Sequence, residues 1–383
     1  MKKRMEKISI LALSLVLTTG FSVSSALPYM FDFYKGVPTS QVELLISLPS
    51  FGIMVSLFLN GILERFLSER QMIVIGLLIL SIAGTLPFFI QTYAFVFGAR
   101  LIFGMGVGFI NAKAISIISE RYQGKERVQT LGYRGSAEVV GTALLTLCAG
   151  QLMHFGWTAA FLVYAAGLLV LLLFLLFVPY KKEEGNPQKT TSPSQMTGKN
   201  WSLTLYLALV AAVIVCCNIA VNLRIPSIIA YDLKGEYEAA SLLLSAMQLI
   251  GIVAGMTFAW LVEAFRNRLL TIIGIFFGLT LVGIGLAQHV SVLSISTILS
   301  GFTYSIALTT VFHTISEKIP TQQLNQATSI VVLGCSFGAA VTPFVLHLIQ
   351  QLSPQTSFLF SVLGVLMMVT ALSVYPILSP KNS

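Results

Sequence analysis

Charge is what this sequence has least of. Of its 383 residues only 10% are Asp, Glu, Lys or Arg, against roughly 25% in an ordinary soluble domain. That scarcity excludes a water-soluble fold. Cysteine is scarce too: Cys148, Cys216, Cys217 and Cys335 all fall within apolar runs. They have neither the spacing of a disulfide framework nor that of a zinc site, and they read as small packing residues. The histidines are few and scattered, and no serine or cysteine nucleophile has a base in sequence context, so an enzyme is not expected. A GxxxxGK[ST] phosphate loop is absent, so a primary pump is not expected. No metal or cofactor is expected. The net charge of +8 raises nucleic acid as a partner, but the basic residues are not gathered on a soluble module. Membrane topology accounts for them better, and nucleic-acid binding is set aside.

What is abundant is apolar sequence, 56% of the chain, arranged in runs of about 20 residues, the length that crosses a bilayer. The expected fold is an all-α polytopic membrane protein. Its twelve transmembrane helices lie near 8–30, 41–63, 71–90, 94–118, 130–153, 157–178, 202–225, 239–262, 269–288, 291–314, 327–350 and 355–377. Lys2-Lys3-Arg4, the apolar stretch after it and Ser24-Ser25-Ala26 also fit a cleaved secretory signal. Cleavage would delete a segment with a counterpart in the second half, so retention is the expectation. The polar stretch from Pro179 to Asn200, rich in Pro, Ser, Thr and Lys, reads as a linker. It divides the chain into a first bundle, 1–178, a linker, 179–200, and a second bundle, 201–383.

Orientation follows from the loops, because Lys and Arg are retained on the cytoplasmic side. With both termini inside, the cytoplasmic segments hold 17 of the 23 basic residues. Lys35, Arg224 and Lys234 fall on the other side, and Arg100, Lys113 and Arg134 lie within or near the spans. Both termini are therefore expected in the cytoplasm, and the chain in the plasma membrane of a bacterium.

Laid over itself at an offset of 197 or 198, the sequence repeats. Pro28 meets Pro226, Ser47 meets Ser245, Arg70 meets Arg268 and Gly76 meets Gly274. Further on, Gly104 meets Gly301, Ile118-Ser119-Glu120 meets Ile315-Ser316-Glu317, and Gly141 meets Gly338. Two parallel six-helix halves are the plan of transporters that rock about a site near the bilayer midplane. Equivalent packing surfaces close at either end at similar energy, so a modest difference in binding energy moves the gate.

The fourth span carries Arg100-Leu-Ile-Phe-Gly104-Met-Gly106-Val-Gly108. Its glycines let helices approach closely, and its arginine needs a buried partner or a water-filled cavity. This pattern of Arg, three residues, Gly, one residue and Gly resembles that of the major facilitator superfamily, and the resemblance extends over almost the whole chain. The superfamily's loop between the second and third helices has a degraded counterpart in Gly61-Ile-Leu63-Glu64-Arg65-Phe-Leu-Ser68-Glu69-Arg70. Glu64 takes the place of the family's aspartate, which the resemblance implies holds one gate closed; charges that only mark topology are the other reading. In the fifth span, Gly141 and Gly150 keep the outer glycines of the family's antiporter motif, while its Gly-Pro pair is replaced by Leu145-Thr146. At the matching place in the eleventh span, Thr342-Pro343 retains the proline.

Glu138, with Arg134 four residues before it on the same helical face, is the main candidate for coupling. A central charged residue costs about 2.5 to 3.5 kcal/mol on translocon scales, so it implies an ion pair or a task. Lys113 is expected at a similar depth, which suggests a Lys113, Glu138, Arg134 cluster. The cluster is either a static bridge fixing helix pairing or a site where Glu138 gains and loses a proton. Asp32 and Arg100 are further coupling candidates. Asn218 and Asn222, one turn apart, Asn111, which falls about 20° around the helix from Arg100, and Arg224 are candidates for the substrate cavity. Arg224 is expected to reach outward or to bind an anion. The expected function is a monomeric secondary transporter without cofactor, coupled to protons and exporting small amphipathic compounds. The competing reading is a proton symporter for a small metabolite, perhaps an organic anion.

Overall fold

In a computed structural model, residues 2–64, 66–179, 198–233 and 237–378 are described. They are helical apart from short turns and loops, without a strand among them. Helix α1 begins as Lys2–Ala12, passes through 3₁₀ turns at Leu13–Val16, Thr19–Phe21 and Ser24–Ala26, and ends as Leu27–Phe33. Then come α2 (Thr39–Leu63), α3 (Glu69–Phe89), α4 (Tyr93–Arg121) and α5 (Gly124–Leu152). Helix α6 opens as a 3₁₀ helix, Trp157–Ala165, and continues as Ala166–Phe177. The second half holds α7 (Gly198–Ser227, followed by a π turn at Ile228–Asp232), α8 (Tyr237–Phe265), α9 (Leu269–Gly285), α10 (Val290–Lys318), α11 (Thr321–Leu352) and α12 (Thr356–Leu378).

Among the described residues ten stretches are long and apolar enough to cross a membrane, and eleven when the two parts of α1, bent by 46°, count as one. The stretch Ala239–Gly285 runs 47 residues, about twice what one crossing needs. It breaks at a 3₁₀ turn, Arg266–Arg268, where Arg266 takes a φ of 47°. It therefore contains α8 and α9 as separate crossings, and the expected twelve are all present. Several boundaries differ from expectation: α4 continues to Arg121 and α10 to Lys318, while α5 starts at Gly124 and α11 at Thr321, so Glu138 lies nearly four turns into α5. The added turns are polar helix outside the apolar windows, which a search for apolar runs does not register.

By packing, one unit holds Met1–Tyr180 with Asn222–Leu249, and the other Lys181–Val221 with Ile250–Ser383. In the first unit the chain alternates direction. Tyr34 after α1, Tyr93 at the start of α4 and Trp157 at the start of α6 meet in one ring cluster, with Tyr34 5.9 Å from Tyr93 and 6.2 Å from Trp157. Burial, then the neighbouring Tyr93, pushes the Tyr34 hydroxyl up to about 12, so it stays protonated and donates to the Gln91 carbonyl at 2.6 Å. On the opposite face Glu6 pairs with Arg121, and Lys7 lies 3.7 Å from Glu126. Arg70 there donates to the Val178 carbonyl at 2.6 Å, and Arg121 donates to the Pro179 carbonyl at 2.9 Å. Arg70 thus holds a carbonyl at the end of α6 that a helix leaves without an amide partner, and Arg121 holds the carbonyl that follows it. A capping box starts α3: the Ser68 hydroxyl accepts from the Gln71 amide, and the Gln71 side chain accepts from the Ser68 amide at 2.9 Å.

Glycines set how closely these helices pack. A methyl group on Gly104 would collide with the Pro49 backbone of α2, and one on Gly108 with Ser56 of the same helix. A methyl on Gly106 would lie 2.8 Å from the Gly76 carbonyl of α3. Helix α4 is therefore wedged between α2 and α3. Gly141 packs on the Leu15 backbone of α1, and Gly338 packs on the Ala212 backbone of α7. Both members of these two contacts are related by the 197-residue offset of the sequence repeat.

Candidate functional site

The deepest ion pair in the described residues was not anticipated from sequence. Glu43, one turn into α2, is fully buried, and its Oε1 lies 2.9 Å from Arg224 Nη2 near the end of α7. The approach is too oblique to meet hydrogen-bond geometry, so both Glu43 oxygens lack a well-aligned donor, and the contact is a Coulombic one. Arg224 therefore points inward to a carboxylate rather than outward, the first of the two alternatives the sequence left open for it. A signal was available: each residue sits inside an apolar span, where a charge demands a partner. Glu43 passed unnoticed because it lies close enough to the span's end to read as interfacial.

Arg100 is also fully buried, but it meets no carboxylate within salt-bridge range among the described residues. Pro49 has no amide hydrogen, which leaves the Leu45 carbonyl one turn earlier without its helical partner. Arg100 Nε donates to that carbonyl at 2.8 Å, and Nη2 donates to Ile46 O at 3.2 Å and Gly20 O at 2.5 Å. Nη1 donates to the Tyr164 hydroxyl at 3.0 Å, which in turn donates to Thr19 O at 3.1 Å. The rings of Phe103, Phe161 and Tyr164 surround the guanidinium, each centroid within 6 Å of it. One side chain thus binds the carbonyls exposed by the break in α1 to those exposed by the proline in α2. With its donors committed in this way, Arg100 does not share an open cavity wall with Asn111.

The expected three-membered cluster divides in two. Arg134 and Glu138 stand 3.6 Å apart, and Arg134 also donates to Asn111 Oδ1 at 2.9 Å, tying α5 to α4. Lys113 instead pairs with Glu64 at 2.9 Å. Glu64 caps the end of α2, and its carboxylate takes Lys113 of α4 away from α5. Asn218 and Asn222 are both buried on α7, whereas Asp32 is exposed. Gly150 packs against Ser241, while Gly61 has open space around it and imposes no close approach. Arg65 lies outside the described residues. In the second unit a cavity of about 330 Å³ between α8, α9 and α10 is lined by Glu263, Arg266, His313 and Glu317, with His313 3.8 Å from Glu317.

Comparison with known proteins accords with this architecture. The sequence profile described as Major Facilitator Superfamily matches residues 9–227 and 207–383. An uncharacterised MFS-type transporter of Mycobacterium tuberculosis is 23% identical over 174 residues, 44% of this chain and 39% of that protein. The vesicular acetylcholine transporter of Torpedo torpedo is 28% identical over 161 residues, 41% of this chain and 30% of that protein. The matched segments thus span less than half of these relatives' lengths. Among solved structures, a D-xylose-proton symporter superposes with a TM-score of 0.77 at 16% identity, covering 98% of each chain. A peptide transporter superposes at 0.76 and 15% identity, covering 98% of this chain and 94% of that one. Glycine-wedged helices, a repeat carried into packing contacts and a profile match along nearly the full length lead to one family: this chain belongs to the Major Facilitator Superfamily.

Proposed function

We propose that the chain is a proton-coupled secondary transporter of a bacterial plasma membrane that exports small amphipathic compounds by alternating access, with both termini in the cytoplasm. The observation that carries this reading is the buried pair of Glu43 and Arg224, 2.9 Å apart. When Glu43 takes up a proton its charge disappears and the attraction between α2 and the end of α7 is lost; release of the proton restores it. One proton thus selects between two packings of these helices, which is the requirement for coupling. Arg134 and Glu138 form a second, more accessible pair of the same chemistry, and Glu64 with Lys113 is a gate contact on this reading. The two sequence repeats are the bodies that move, and the transporter works as a monomer.

Export is favoured over uptake of an organic anion by what the cations already do. Arg100 is committed to carbonyls, Lys113 to Glu64 and Arg224 to Glu43. Protons as the coupling ion are in keeping with a structural neighbour named as a proton symporter, and a small organic cargo with a relative named for acetylcholine.

The test is a panel of amphipathic compounds in proteoliposomes with an imposed pH gradient. The expected result is gradient-driven movement opposite to the proton flow, lost in Glu43→Gln and in Glu138→Gln, with compound exchange at equal pH retained. Unaltered gradient dependence in both variants would refute the coupling role. Movement along with the protons would replace export by symport.

A further inference from the structure

Four serines of α1, Ser9, Ser14, Ser22 and Ser25, are fully buried, and none of their hydroxyls has a protein partner within hydrogen-bonding reach. A lone buried hydroxyl is unfavourable, and polar groups of this kind are the ones that hold ordered water. Ser14, Thr18, Ser22 and Ser25 recur every three or four residues through the 3₁₀ stretch of α1. The Thr18 hydroxyl bonds that of Thr142 on α5, and Thr146 follows one turn later.

Each end of this row lies at the level of a carboxyl group. Gly141 packs on Leu15, which sets Ser14 level with the turn of α5 that bears Glu138. At the other end Arg100 Nη2 holds the Gly20 and Ile46 carbonyls together, at 2.5 and 3.2 Å. Because α1 and α2 are antiparallel, Ser22 to Ser25 come level with Glu43, three residues from Ile46.

We infer that this hydroxyl row, with the water it requires, is the path by which a proton passes between Glu43 and Glu138; the inference rests on the proton-coupled reading above. In one passage the Glu43 carboxyl gives up a proton and becomes a carboxylate. Each hydroxyl or water oxygen along the row accepts one proton and releases another, ending unchanged. The Glu138 carboxylate accepts the last proton, and nothing is oxidised or reduced. The charged groups facing the ends are Arg224 of α7 at Glu43 and Arg134 of α5 at Glu138. Beside the row, Arg100 of α4 and Tyr164 of α6 direct their donors to backbone carbonyls of α1 and α2.

The proton itself serves as probe. In wild-type protein reconstituted in liposomes, infrared difference spectra across about pH 4 to 9 are expected to contain a carboxyl band absent from Glu43→Gln. After transfer to D₂O, deuteration of that band should be slowed about tenfold or more in the Ser14→Ala/Ser22→Ala double variant. Ser22→Thr, which keeps the hydroxyl, should restore the rate in the presence of Ser14. Ser81→Ala removes a buried hydroxyl of α3 that is bonded to Leu77 O and should leave the rate unchanged. A wild-type rate in the double variant overturns the path while leaving Glu43 as the coupling group. Absence of any band assignable to Glu43 overturns the path and the coupling role together. Equal slowing in Ser81→Ala assigns the effect to general loosening and also overturns the path.

Discussion

At the scale of single residues, Arg100 and Glu43 are both charges inside the membrane, yet their environments give them opposite characters. Arg100 has four donor contacts to oxygen atoms held by three helices, and a cation that cannot be neutralised. It acts as a fixed connector. Lysine, a compact ammonium with three donors, cannot reach the carbonyls of Leu45, Ile46 and Gly20 together. Arg100→Lys is therefore expected to lower stability by about 2–4 kcal/mol, read as a lower unfolding temperature in detergent by circular dichroism. An unchanged temperature would show that the connector is dispensable. The sequence made Arg100 visible as a motif residue, and even its first acceptor was readable, since Pro49 leaves the Leu45 carbonyl unpaired. The other acceptors were not, because Gly20 and Tyr164 join it only through folding. Glu43 and Arg224 are separated by 181 residues, and no local pattern links them.

At the scale of elements, glycine is informative only where the fold uses it. Gly104 touches the backbone of Pro49, so Gly104→Ala should force α4 away from α2 and abolish most of the folded yield in size-exclusion chromatography. Gly61 faces open space, and Gly61→Ala should raise stability by up to about 1 kcal/mol through helix propensity alone. A reversed order of the two variants would contradict the wedge. The sequence showed both glycines as parts of motifs without distinguishing them, since spacing does not reveal what stands opposite. The helices themselves were legible from apolar length, apart from the break in α1. Its residues form one apolar run, and the turn at Thr19–Phe21 coincides with tertiary contacts of Thr19 and Gly20 with Tyr164 and Arg100.

At the scale of the whole molecule, twelve crossings and the excess of basic residues on one side predict that tags at the N- and C-terminus are both reached by protease in inverted vesicles and neither in intact spheroplasts. Tags on different sides would overturn the topology. The number of crossings, the repeat and the family were legible because each is spread over hundreds of residues. Cargo recognition depends on a few side chains, and their meeting is decided by packing.

The grip of Arg70 and Arg121 on Val178 and Pro179 makes the exit of α6 a strain relief, like the clip that anchors a cable where it leaves its housing. A pull on Pro179 is borne by α3 and α4 as well as by the last turn of α6.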